Sequence, residues 1–166
     1  MWFKYHLEKK RVHFTEGSVE LKVDRSNLLM SSNAQFEKIN FYKEVKINFD
    51  DDDEAMDAGG LLREWMNLCI KEVFSKDLGI LSLCDTSATY YKFNFNEHVL
   101  QLFEVAAKIL GVVIGKAIFE RIPLKCFLNY TILRQVCSQP VQINDIYTYD
   151  IDVLFGICSS TGAGST

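Results

Sequence analysis

Apolar and polar residues alternate along Val19-Glu20-Leu21-Lys22-Val23 and again through Val45, Ile47 and Phe49. This period of two predicts strands with one buried face. Between them, Ser26-Asn27 offers a cap for a helical segment from Leu28 to about Ile39, with Leu28, Leu29, Phe36 and Ile39 as its apolar side. The period then lengthens. Leu61, Leu62, Trp65, Met66, Cys69, Val73 and Phe74 recur at spacings of three and four, while Arg63, Asn67 and Lys71 line another side, so an amphipathic helix is expected. Asp57 is placed to cap it and to sit favourably in the field of the helix dipole. Gly59 and Gly60 allow a tight turn or the close approach of a neighbouring segment.

Further along, Leu81 to Cys84 and Thr89 to Phe95 flank the polar turn Asp85-Thr86-Ser87-Ala88, which predicts a β-hairpin. A long helix is expected from about Glu97 to Glu120. Its polar positions Glu97, Gln101, Glu104 and Lys108 form one narrow stripe, continued by Gly111 and Gly115, so it reads as the central and mostly buried helix. The two glycines suggest the close approach of a neighbouring element in the core. Pro123 is placed to start a further helix using Leu124, Phe127, Leu128, Ile132, Leu133 and Val136, with Pro140 after its end. The segment Ser159 to Thr166 is small, polar and patternless, and is expected to be a disordered tail or a cloning remnant outside the fold. The fold class expected is α+β, predominantly helical, with a long central buried helix and short β-hairpins.

Composition narrows the function. At 166 residues and 48% apolar content the chain can bury one sizeable core, so a single folded unit over residues 1–158 is expected. A net charge of −4, with no basic cluster beyond Lys9-Lys10-Arg11, gives no footprint for nucleic acid. The most hydrophobic stretch, Val105 to Phe119, is interrupted by Lys108 and Lys116 and falls short of the ~20 apolar residues of a membrane helix. Cys69, Cys84, Cys126, Cys137 and Cys158 are odd in number and follow no signal peptide, which points to an intracellular, reducing compartment, cytoplasmic or nuclear. Asn129-Tyr130-Thr131 fits a glycosylation sequon, but it lies in an expected helix of a chain without a secretory signal.

Candidate chemistry is sparse. Asp50 to Glu54 invites a calcium reading, yet an EF-hand loop starting at Asp51 needs Gly at its sixth position and Glu at its twelfth, where this chain has Met56 and Leu62. No C-x-x-C or H-E-x-x-H occurs, so no metal site is expected. Cys69 on the apolar helix face and Cys126 beside Phe127 suggest burial rather than a reactive thiolate. Asp57 and Glu64 lie seven residues apart, a structural spacing as readily as a catalytic one. Gly59-Gly60 lacks the downstream Lys-Ser/Thr of a phosphate loop, and no cofactor is expected. On the aromatic strand, Tyr91, Phe93 and Phe95 share one face and Tyr90 takes the other, leaving either a half-exposed Tyr beside the core or a partner-binding strand.

The strand Val45 to Phe49, the acidic run, Asp57-Ala58-Gly59-Gly60 and Leu61-Leu62-Arg63-Glu64-Trp65, in that order, resemble the entry segment of the HECT-type ubiquitin-ligase domain, in its N-terminal lobe. Val19 to Asn27 is similar to the strand-plus-Arg segment before that lobe's first helix, and Phe103 to Pro123 to its long central helix. Asn144-Asp145-Ile146 through Asp150 to Leu154 resembles its next short acidic helix pair, so the similarity runs from about Trp2 to Cys158. Two positions depart from the family pattern: Ala55-Met56 replaces the common Gly-Val, and Ser31-Ser32 an acidic-Ser pair.

The resemblance implies an E3 ubiquitin-protein ligase as the parent enzyme. Such a ligase accepts ubiquitin from an E2 as a thioester and passes it to substrate lysines, splitting one difficult transfer into two. The expected partners are therefore an E2, ubiquitin and a protein substrate, with no nucleic acid and no membrane. In the family the E2-binding subdomain and the catalytic cysteine lie beyond the region reached here near Phe155, so the chain is expected to be a scaffold lobe, inactive alone. Asp57, Gly59, Gly60, Arg63 and Glu64 would be its structural motif, with no catalytic residue, and Tyr90 or Tyr91 a weak ubiquitin-binding surface. The alternatives are a non-catalytic protein-interaction module and a calcium-binding domain using the acidic loop.

Overall fold

A computed structural model describes residues 17–50, 58–84, 87–94, 100–142 and 145. Strand β1 (Ser18–Val23) is followed by a 3-10 turn (Arg25–Asn27), helix α1 (Leu28–Asn33), a second 3-10 turn (Phe36–Lys38) and strand β2 (Glu44–Phe49). Then come helix α2 (Ala58–Val73), strands β3 (Leu81–Cys84) and β4 (Ser87–Phe93), and helices α3 (Leu100–Glu120) and α4 (Tyr130–Val136). This is the helix-dominated α+β arrangement expected.

β3 and β4 form the expected antiparallel hairpin, whereas β1 and β2 pair in parallel, in register from Ser18 with Glu44 to Val23 with Phe49. Parallel pairing needs a crossover, and the short helices between the strands supply it. Residues 28–39 are therefore not one helix. Nor do Ser26 and Asn27 cap it: the Asp24 carboxylate accepts from the Ser26 hydroxyl and backbone N–H at 2.7 and 2.8 Å, while Asn27 makes no side-chain cap bond. Those bonds, the hydroxyl's first, hold the Asp24 carboxyl below its ordinary range. After α1 ends, the Gln35 side chain bonds the backbone of Lys22 through both its oxygen and its nitrogen, satisfying backbone groups of β1.

Val45, Ile47 and Phe49 turn one face of β2 into the core, against Trp65, Met66, Cys69 and Val73 of α2. α3 adds Ala106, Ile109, Leu110, Val113 and Ala117 to the same core. The helical spacing of these residues is the reason for their helices: a 3.6-residue period gathers them on one side.

Gly111 and Gly115 sit on the exposed side of α3, and among the described residues nothing lies within 4 Å of a Cβ built on either. The close approach expected there is not found, because the glycines continue the polar stripe and that stripe faces outward. A mid-helix glycine with open space around it forfeits backbone entropy without a packing return. Gly115→Ala is accordingly expected to stabilise the fold by roughly 0.5–1 kcal/mol, read as a higher urea midpoint at unchanged slope.

Among the described residues no helix is long and apolar enough to cross a membrane. The capping role expected of Asp57, the acidic run beyond Asp50, Phe95, the helix pair expected after Asp145, and the tail all lie outside the described residues.

Candidate docking surface on the aromatic hairpin

Strand alternation sorts the aromatic residues of β4. Tyr91 turns inward, its ring edge-on to Phe74 at 4.8 Å, and Phe93 meets Phe103 at 5.2 Å. Tyr90 turns outward and is 48% exposed. The two tyrosines named from the sequence are thus separated: Tyr90 is exposed, and Tyr91 packs the hairpin on Phe74, just after α2.

A second segment completes this surface. The helix expected to begin at Pro123 does not form there. Residues 122–128 lie outside any helix, with Pro123, Lys125 and Phe127 exposed and Ile122, Leu124, Cys126 and Leu128 turned toward the core. That alternation is a strand's. At its end the Tyr91 N–H donates to the Phe127 carbonyl and the Asn129 N–H to the Tyr91 carbonyl, both at 2.8 Å, which bridges Tyr91 to Leu128 in parallel. Helix α4 begins only at Tyr130, where the Asn129 side chain accepts from Thr131 N–H at 2.8 Å.

Asn129 is buried and its amide also donates to Cys84 Sγ at 3.4 Å, so the sequon asparagine is closed to a glycan. Since Tyr91 and Leu128 share the inward side, Tyr90 and Phe127 share the outward one, and Phe127 is 49% exposed. Phe127 was not singled out from the sequence as a surface residue. The alternation from Ile122 to Leu128 was the signal that would have found it.

Other candidate residues have structural surroundings. Gly59, Gly60 and Arg63 are exposed on the first turns of α2. Glu64 pairs with Arg25 at 2.5 Å, and the Arg25 guanidinium lies 3.8 Å over the Phe49 ring. This part-exposed ion pair ties α2 to the turn after β1. Burial pushes the Cys69 thiol up to about 12, with the nearby Glu72 carboxylate adding to it, and burial pushes Cys126 up to about 11. Both stay protonated at neutral pH, the opposite of what a nucleophile needs. Cys84 is buried and Cys137 exposed beyond α4, while Cys158 lies outside the described residues. No group of three or more His, Cys, Asp or Glu among the described residues is arranged to hold a metal ion.

The fold is an α+β domain with exposed aromatic side chains at Tyr90 and Phe127, in which the two thiols of shifted acidity are both suppressed. A family model, the HECT-domain (ubiquitin-transferase), matches residues 67–159. The chain belongs to the HECT-domain family. It is similar to the probable E3 ubiquitin-protein ligase mug30 of Schizosaccharomyces pombe, 29% identical over 144 residues that cover 86% of this chain and 18% of that protein. It is also similar to the probable E3 ubiquitin-protein ligase TOM1 of Eremothecium gossypii, 24% identical over 161 residues covering 87% of this chain and 5% of that protein. The E3 ubiquitin-protein ligase pub1 of Schizosaccharomyces pombe is 27% identical over 157 residues, covering 89% and 20%. The chain thus spans a fifth or less of the length of these relatives.

Proposed function

We propose that the chain is the large N-terminal subdomain of a HECT E3 ubiquitin-protein ligase. In that role it scaffolds a reaction whose reactive cysteine lies in another lobe and offers the Tyr90 side of the hairpin as a weak ubiquitin-docking surface. In the parent enzyme a cysteine thiolate attacks the E2–ubiquitin thioester, the E2 thiol leaves, and a substrate lysine amine then takes the acyl group. The partners are accordingly an E2, ubiquitin and a protein substrate. One observation carries the reading: the family match through residue 159 includes Cys69 and Cys126, whose thiols burial holds in the protonated form. Two of the five cysteines are thereby disfavoured as acyl acceptors, which supports a role in positioning partners.

Two measurements test this. Incubated with E1, an E2 and ubiquitin, the chain is expected to form no thiol-sensitive ubiquitin adduct; such an adduct on any of its cysteines would refute the scaffold role. Titrated into 15N-labelled ubiquitin, the chain is expected to shift signals of ubiquitin's apolar surface. Tyr90→Ala should weaken that binding by about tenfold, the effect of losing an exposed aromatic anchor. Tyr91→Ala should instead lower the melting temperature, because its ring packs on Phe74. Equal binding by wild type and Tyr90→Ala would remove Tyr90 from the surface.

A further inference from the structure

A cavity of about 550 Å3 lies between the turn after β1 and the end of α2. Leu28, Leu68 and Leu78 give it an apolar lining, Leu28 buried and the other two packed against the core. Leu68, Glu72 and Ser75 follow one another at spacings of four and three, so a helical row along α2 and the turn after it brings an apolar, an acidic and a hydroxyl side chain to the same opening. The Leu78 N–H donates to Ser75 Oγ at 3.3 Å, which folds the turn that carries Asp77 back toward the helix end.

The charges around this cavity do not cancel. Arg25 lines it, but its guanidinium is already paired with Glu64 and lies over the Phe49 ring. The other charged lining residues are Lys71, Glu72 and Asp77, and among the described residues none of these three side chains has an ion-pair or hydrogen-bond partner. Lys71 is exposed, and its long stem lets the ammonium stay in water. Glu72 is half-buried beside the leucines. Burial raises its carboxyl above the ordinary range, as happens when a carboxylate loses water and gains no counter-charge. The negative end of the α2 dipole lies at the same place. The cavity therefore favours a cation, and its leucines favour one on an aliphatic stem.

We propose that this cavity binds the side chain of a lysine on a partner protein. The methylene stem lies against the leucines, and the ammonium, with its three donors, meets Glu72, Asp77 and the free lone pair of the Ser75 hydroxyl. Carboxylates hold the amine in its protonated form. An acyl acceptor must attack as the neutral amine, so this contact anchors a partner and is not a place of transfer. None of the lining residues belongs to the β3–β4 hairpin, and the site does not depend on the ubiquitin reading.

The experiment uses the chain labelled with 13C at leucine methyls and glutamate carboxyls, titrated with Nα-acetyl-lysine N-methylamide at millimolar concentration and, in parallel, with its norleucine and glutamate analogues. The lysine compound is expected to shift the methyl signals of Leu28, Leu68 and Leu78. It should also lower the titration midpoint of the Glu72 carboxyl, because a bound cation favours the ionised form. The norleucine compound, with the stem but no charge, should bind at least about fivefold more weakly, and the glutamate compound not at all. Glu72→Gln should weaken the lysine compound by a similar factor at an unchanged melting temperature, since this side chain has no partner to lose in the free protein. Lys71→Gln should strengthen binding by removing the competing cation, a gain that a mere disturbance of α2 would not produce. Absence of any shift, equal binding of the lysine and norleucine compounds, preference for glutamate, or indifference to Glu72→Gln would each overturn the proposal. The ubiquitin titration with Tyr90→Ala reads a different probe, so either reading can fail without the other.

Discussion

Trp65→Ala is expected to be the most damaging single substitution in the chain, costing about 3–5 kcal/mol. Trp65 is fully buried and stands where α2, α1 and the turn after it meet. Its ring lies edge-on to Phe36 at 6.4 Å, and its indole N–H donates to the buried Ser32 hydroxyl at 3.0 Å. Truncation removes the largest apolar surface in the core, opens a cavity between three elements and strips the Ser32 hydroxyl of its donor. Against a total stability of roughly 5–15 kcal/mol, that loss leaves a large unfolded fraction. Trp65→Phe keeps most of the volume and isolates the hydrogen bond, with an expected cost of about 1–2 kcal/mol. Urea denaturation followed by far-ultraviolet circular dichroism measures both, since each variant removes the Trp65 fluorophore. A loss below about 1 kcal/mol for Trp65→Ala would mean the site collapses around the gap, contrary to the packing described.

Lys116→Met should follow, at about 3 kcal/mol. The Lys116 ammonium is sealed from solvent and directs its donors to the carbonyls of Phe41 and Lys43, at 3.1 and 2.8 Å, and to Glu120 Oε1 at 2.7 Å. An ammonium has three donors and here each has an acceptor. The side chain thereby fastens the turn entering β2 to the end of α3, with its nitrogen 5.0 Å from the Phe119 ring. Methionine matches the stem but leaves two carbonyls and a carboxylate without their donor, and such unsatisfied groups carry the full desolvation penalty. Glu120→Gln, which keeps an acceptor at a part-exposed position, should cost no more than about 1 kcal/mol. Equal effects of the two substitutions would show that the ion pair, and not the two carbonyls, is what Lys116 contributes. Amide exchange at residues 41–43 gives an independent readout, with faster exchange expected only in Lys116→Met.

The sequence holds one hint of this role, a lysine that interrupts the most apolar stretch of the chain. Its three acceptors come from residues 41, 43 and 120, a grouping that no local pattern encodes. Trp65 was legible as core from its helical spacing. Its partner Ser32 was not, because a serine in a short helix is as easily placed on the surface.

Much of the architecture follows from periodicity alone. The alternation at 19–23 and 45–49 and the three-and-four spacing at 61–74 each report which side of a local element is buried, and those elements formed as expected, whereas Ser87 and Ala88, expected in the hairpin turn, belong to β4. Periodicity fails where two periods fit the same residues. Leu124, Leu128 and Ile132 suit one face of a helix, while Ile122, Leu124, Cys126 and Leu128 suit one face of a strand. The bridge of Leu128 to Tyr91 and the cap at Asn129 decided for an extended segment. The small stripe at Gly111 and Gly115 was equally ambiguous, since glycine permits close packing as well as exposure, and only the neighbours of α3 could settle which.

By itself the sequence determined the helix-dominated α+β class, the core stripes and the family resemblance, because these rest on local spacing and on ordered motifs along the chain. Only the tertiary structure decided that β1 and β2 run in parallel, that Tyr90 and not Tyr91 faces outward at the hairpin, and that Leu128 bridges Tyr91. Those outcomes are set by pairing energies between segments tens of residues apart, and a one-dimensional pattern contains no such term.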